Sequence, residues 1–160
     1  MTQHLLDLDR NKNPDYFNLI DEHNLLIDRY NKINNELYSI VVPKLILIRN
    51  KQKNIFISDL NRIKKEADTL QKDYLFWRGK ANAFCVKPKF ILPTEKGDLL
   101  FLHYIGVLKH MIQGMDYIMA IMLRNHTSIR SSYENEYNFQ IALLALFFSL
   151  IGLYLSLFYK

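Results

Sequence analysis

The chain has 160 residues and a formal net charge of +5, and 49% of its residues are hydrophobic. That is one domain's length with enough apolar material for a real core, which excludes a disordered polyelectrolyte. Five glycines, four prolines and a single cysteine exclude a linker-dominated chain and an internal disulfide framework, and favour helices. The cysteine, Cys85, fits a reducing compartment and reads as a small buried apolar residue.

The segment Met1 to Arg10 places acids among its few apolar residues and contains no secretory h-region. The first hydrophobic span to leave a ribosome is then the C-terminal one, the layout of a tail-anchored protein. Asn13-Pro14-Asp15 reads as a helix start, with a capping Asn, Pro at the first helical position and an acid in the first turn. Leu19, Leu26, Ile33 and Ile40 recur at helical spacing, so a helix is expected from 14 to about 40.

Val41-Val42-Pro43 interrupts this pattern. The β-branched runs on either side of Asn50-Lys-Gln-Lys53 allow a short hairpin within 41–58, although the helical surroundings favour helix. Ser58-Asp59 is expected to cap a further helix carrying Ile63, Ala67, Leu70, Tyr74 and Trp77, ending near Arg78-Gly79. Residues 80–96, with Pro88 and Pro93, read as a connection.

Leu99 to Leu123 is apolar and long, yet it carries His103, Lys109, His110, Gln113 and Asp116. Charges at mid-span are costly in hydrocarbon, so a buried amphipathic helix is expected ahead of the alternative, a second transmembrane helix, with Met111, Met115, Met119 and Met122 packing the core. From Thr127 the chain is expected to start a new helix that runs unbroken to the end. The fold class is therefore all-α, with about four helices in a soluble domain over 1–126 and a juxtamembrane and transmembrane helix over 127–160.

The span itself is placed at about 139–159. From Ile141 to Tyr159 no residue is charged, and nineteen residues cover about 28 Å, close to the thickness of a bilayer's hydrocarbon core. Tyr133, Tyr137, Tyr154 and Tyr159 suit interfacial belts. Arg124, His126 and Arg130 flank the N-terminal side against Lys160 alone beyond the far end, so the N-terminal domain is expected in the cytoplasm and Arg124 and Arg130 at the membrane surface.

Ser131, Asn135, Asn138, Ala142, Ala145, Ser149, Gly152 and Ser156 alternate four and three apart, and all are small or polar. Such a seven-residue repeat keeps one face towards one partner, and helices in lipid associate through small residues. The stripe is thus the expected contact face, with another copy of the chain or with a different protein. In a ring it would turn Asn138, Ser149 and Ser156 towards a lumen.

Signatures of chemistry are sparse. The five histidines are His4, His23, His103, His110 and His126, and His103 and His110 are seven apart, too far for one metal ion. The Arg-then-His pair of small helical RNA-cutting domains is missing, because Arg124 and His126 are too close. No phosphate-cradling loop, nucleophile motif or calcium loop occurs. Hence no cofactor, no catalysis and no specific nucleic-acid binding are expected. The basic cluster Arg49, Lys51, Lys53, Arg62, Lys64 and Lys65 is read as lying along the membrane surface or as plain solvated charge.

In outline the layout is similar to that of small single-pass effectors of prokaryotic anti-phage systems, some encoded beside CRISPR nucleases: a helical cytoplasmic domain, one span and an oligomeric ring. The similarity is of architecture, without a matching motif. It implies a self-associating membrane pore used in antiviral defence. The alternative is a membrane-tethered adaptor or inhibitor whose soluble helices bind a protein partner.

Overall fold

A computed structural model of the chain describes residues 8–44, 47, 50–92 and 97–158. These form three helices, α1 (Pro14–Ser39), α2 (Asn50–Val86) and α3 (Gly97–Phe158), with no strand among the described residues. Contacts divide the chain into two units. One holds residues up to Asn34 and Glu66–Met122; the other holds Asn35–Lys65 and the chain from Leu123 onwards.

About four soluble helices and a separate C-terminal one were expected, but the count is three among the described residues, because two anticipated starts do not break the chain. Ser58 and Asp59 sit inside α2, and Asp59 lies 3.9 Å from Arg62 one turn on instead of capping. Residues 54–58 are helical, so the hairpin reading fails there; the flanking residues 45, 46, 48 and 49 lie outside the described residues. Thr127 likewise lies within α3, its hydroxyl donating to the Leu123 carbonyl at 2.9 Å. A hydroxyl that bonds back to its own helix leaves the ladder intact. Gly79 does not end α2 either, since one glycine costs a helix only about 1 kcal/mol. The helix stops at Val86, just before Pro88.

The first unit is built from the early part of α1, the late part of α2 and the first half of α3. Its core is Tyr16, Leu19, Leu26, Leu70, Tyr74, Trp77, Leu108, Met115, Met119 and Met122, all buried. Leu99–Leu123 therefore packs as the amphipathic helix expected, and three methionines of its stripe are core. The Trp77 indole N–H donates to the Leu19 carbonyl at 2.8 Å, and Arg29–Asp73 and Lys80–Glu22 pair at 2.6 Å on the surface. Such exposed pairs contribute little each.

Asn13 is buried, but not as the side-chain cap its position suggests. Its amide donates to the Ile91 carbonyl at 3.2 Å and its oxygen accepts the Ile91 N–H at 2.8 Å. The carboxamide thereby stitches the start of α1 to the loop after α2. Tyr16 sits beside it in an aromatic cluster, 5.4 Å from Phe90 and 5.3 Å from Tyr104. Burial, with the neighbouring Tyr104 and Cys85, pushes the Tyr16 phenol up to about 12.

His23 leans on Trp77, with ring centroids 5.2 Å apart, and its buried Nδ1 has no hydrogen-bond partner among the described residues. Burial holds its pKa below the ordinary 6.5, against a smaller opposing effect of Asn24. The unfolded chain then takes the proton more readily than the folded one, so stability falls as pH drops below that value. Thermal unfolding of the wild type in detergent should shift downwards between about pH 7.5 and pH 5. The His23→Gln variant should lose part of that shift; an identical shift in both would remove His23 as its source.

The second unit holds the end of α1, the loop after it, the first turns of α2 and the rest of α3. Ile40 N–H donates to the Leu37 carbonyl at 3.3 Å and the Ser39 hydroxyl to the Glu36 carbonyl at 2.6 Å, closing α1 ahead of Pro43. Arg62 of α2 pairs with Glu36 at 2.7 Å, and Phe56 stacks on Tyr133 of α3 with centroids 4.9 Å apart.

Candidate membrane helix and assembly face

Twelve of the eighteen residues from Ile141 to Phe158 are Leu, Ile or Phe, and every one of the eighteen is exposed. The most apolar stretch of α3 has a mean hydropathy of 2.5, and none of it is buried. Such a helix is long and apolar enough to cross a membrane. Core helices pass the same test of length and composition but cover their apolar side chains, and this one does not. The expected span reaches Tyr159, which with Lys160 lies outside the described residues.

Ahead of this stretch, one face of α3 is occupied by its own chain. Tyr133 stacks on Phe56, the Lys53 ammonium sits 5.1 Å from the Tyr137 ring centroid, and Gln140 accepts the Leu47 N–H at 3.1 Å. Gln140 in turn donates to Glu136 at 2.7 Å. At about 100° per residue, Tyr133, Glu136, Tyr137 and Gln140 fall in one arc, and Ser131, Asn135 and Asn138 lie roughly 180° away. The stripe continues along that outer line through Ala142, Ala145, Ser149, Gly152 and Ser156, and all eight residues are exposed.

Exposure alone does not separate the stripe from the leucine faces beside it; size and polarity do. A Cβ added at Gly152 would meet nothing within 4 Å. The Ser149 hydroxyl donates to the Ala145 carbonyl at 2.8 Å and the Ser156 hydroxyl to the Leu153 carbonyl at 3.1 Å. Both hydroxyls are therefore satisfied without water, as an apolar surrounding demands.

The basic residues divide into separate groups. Arg62 pairs with Glu36, and Lys64 and Lys65 also engage partners, whereas Lys44 and Lys51 are exposed. Arg124 is exposed, and Arg130 pairs with Glu134 at 2.9 Å. They lie roughly 25 and 16 Å along α3 from Ile141.

Elsewhere polar side chains from α2 and α3 meet. The Tyr74 hydroxyl donates to Asp116 at 2.6 Å, and Arg78 lies 3.2 Å from the same carboxylate. Burial and the bond to Asp116 raise the Tyr74 phenol, so Tyr74 stays protonated and donates to a carboxylate that also pairs with Arg78. Tyr74 and Arg78 are one turn apart on α2, but no sequence spacing signals their meeting with Asp116, which lies on α3. His103 and His110 are exposed on α3, His126 is half-buried with an Nε2 that finds no hydrogen-bond partner among the described residues, and His4 lies outside them. Among the described residues no three His, Cys, Asp or Glu side chains come together as a metal site. Cys85 is half-buried, its thiol pushed up by burial against the pull of Lys109. No model of a protein family matches the chain, and no curated protein or solved structure matches it either.

Proposed function

We propose that the chain is a single-pass membrane protein, held by α3 with its N-terminal helices in the cytoplasm, that assembles with further copies of itself and perturbs the bilayer as a pore-forming effector of the prokaryotic defence type. The observation that carries the assembly is the placement of the stripe. It occupies the side of α3 opposite the one packed against α2, starts before the membrane and continues through it. Each copy thus keeps one face for its own fold and offers the other. Ala142, Ala145, Ser149 and Gly152 let backbones approach closely, which substitutes in lipid for the missing hydrophobic drive. A ring would leave Asn138, Ser149 and Ser156 towards water, while a dimer or trimer would bury them.

Gly152→Leu tests this without disturbing the monomer, because the added side chain enters open space. In mild detergent the association constant should fall about tenfold or more, the equivalent of roughly 1.4 kcal/mol of lost helix packing. Phe147→Leu, on the far side of the helix, should leave it unchanged. Wild-type size for Gly152→Leu by light scattering would refute the assembly face. The competing reading, an adaptor tethered by an indifferent anchor, predicts full function after α3 beyond Gln140 is replaced by an unrelated span. The assembly reading predicts loss of function and of membrane depolarisation in that chimera.

A further inference from the structure

Glu22 and Arg29 stand two turns apart on α1, and Asp73 and Lys80 two turns apart on α2. Glu22 pairs with Lys80 and Arg29 with Asp73, each at 2.6 Å, so both bridges close one rim of the first unit. Between them lie Leu25, one turn from Glu22 and from Arg29, and Phe76, one turn from Asp73 and from Lys80. Neither is covered: Leu25 is 64% exposed and Phe76 70%, and the Lys80 ammonium sits 5.0 Å from the Phe76 ring centroid. The rim is thus an apolar centre framed by four charges that alternate in sign around it. Bridges this exposed add little to the stability of the unit. A carboxylate that serves one cation still has lone pairs for a second.

We propose that this rim docks on the same rim of a second copy of the chain. A partner of one charge sign meets two charges that attract it and two that repel it, and gains no net attraction. The rim's own image fits. Face to face about a two-fold axis along the helices, Glu22 falls opposite Lys80 of the second copy and Arg29 opposite Asp73. About an axis across the helices, Glu22 falls opposite Arg29 and Lys80 opposite Asp73. Every charge meets its opposite either way, the self-complementarity that an isologous contact requires. Leu25 and Phe76 then cover one another at the centre, with the charges around them shutting out water. Two apolar side chains from each copy make a small contact, below what holds a dimer in dilute solution. The inference therefore rests on the reading that α3 gathers copies in one bilayer, where tethering raises the concentration at which the rims meet. The assembly would gain a contact outside the bilayer beside the one within it.

The test uses the full chain with Cys85→Ser in phosphatidylcholine vesicles, carrying Leu25→Cys, Phe76→Cys or Leu75→Cys. Oxidation by copper phenanthroline should cross-link Leu25→Cys copies to each other or to Phe76→Cys copies, according to which two-fold axis is used. Leu75→Cys is 53% exposed but about 100° round α2 from Phe76, and should stay uncross-linked. Glu22→Lys with Asp73→Lys, which makes all four charges positive, should abolish the rim cross-link at low salt. Leu25→Gln with Phe76→Gln should lower the association constant in mild detergent about tenfold and leave thermal unfolding unchanged, since both side chains are exposed in the single copy. No cross-link at either rim position, with Gly152→Leu still reducing the size of the assembly, refutes the rim and leaves the stripe standing. A rim cross-link with Gly152→Leu at wild-type size refutes the stripe and leaves the rim. Equal cross-linking of Leu75→Cys would mark random collision and refute the rim as well.

Discussion

Phe147→Arg combined with Leu150→Arg is expected to move the protein from the membrane fraction to the soluble or aggregated one. The magnitudes decide it. On an insertion scale each Leu, Ile or Phe near the centre of a span contributes about 0.3–0.6 kcal/mol, so the ten left between Ile141 and Phe158 supply about 3–6 kcal/mol. Two arginines at the centre cost about 5–7 kcal/mol, which tips the balance against insertion. Both positions lie off the small-residue stripe, so the effect is on insertion and not on assembly. Alkaline carbonate extraction of expressed protein reads the outcome. Wild-type protein recovered in the supernatant would overturn the membrane reading, because the exposed apolar helix would then need a protein partner to cover it.

Trp77→Ala should be the most damaging single truncation in the first unit. Trp77 is 2% exposed, packs beside Tyr74 and His23, and anchors α2 to α1 through the Leu19 carbonyl. Removing a buried tryptophan leaves a cavity and costs about 3–5 kcal/mol, a large share of the roughly 5–15 kcal/mol that holds a domain together. Trp77→Phe keeps most of the apolar contact and should cost clearly less. Denaturant unfolding followed by far-ultraviolet circular dichroism checks both. Equal losses for the two variants would place the stabilisation in the indole hydrogen bond instead of the packing.

The two predictions concern different kinds of information in the chain. The exposed apolar helix, long enough to cross a membrane, was legible in sequence because its signal is local: a long uncharged apolar run reads the same whatever surrounds it. The stripe was legible for the same reason, as a period within one helix. The limits of α1 were read almost to the residue, since Asn13-Pro14 and Val41-Val42-Pro43 are strong local stops. Weak signals misled. Ser58-Asp59 and Thr127 have the chemistry of helix starts, yet neither follows a Gly or Pro that would end the preceding helix, and the hydroxyl of Thr127 turned back onto Leu123.

What the amino-acid order determined by itself was the all-helical class, the apolar stretch from Ile141 and the heptad of small residues, because each depends only on neighbours along the chain. Tertiary structure alone decided that the stripe lies opposite the face α3 gives to its own chain, that Asn13 holds Ile91 and not its own helix, that Asp116 is shared by Tyr74 and Arg78, and that Leu47 is tied to Gln140. Each of these joins residues far apart in sequence. Such contacts are selected by which apolar faces bury each other and which polar atoms are then left needing a partner, a choice made only when the helices pack.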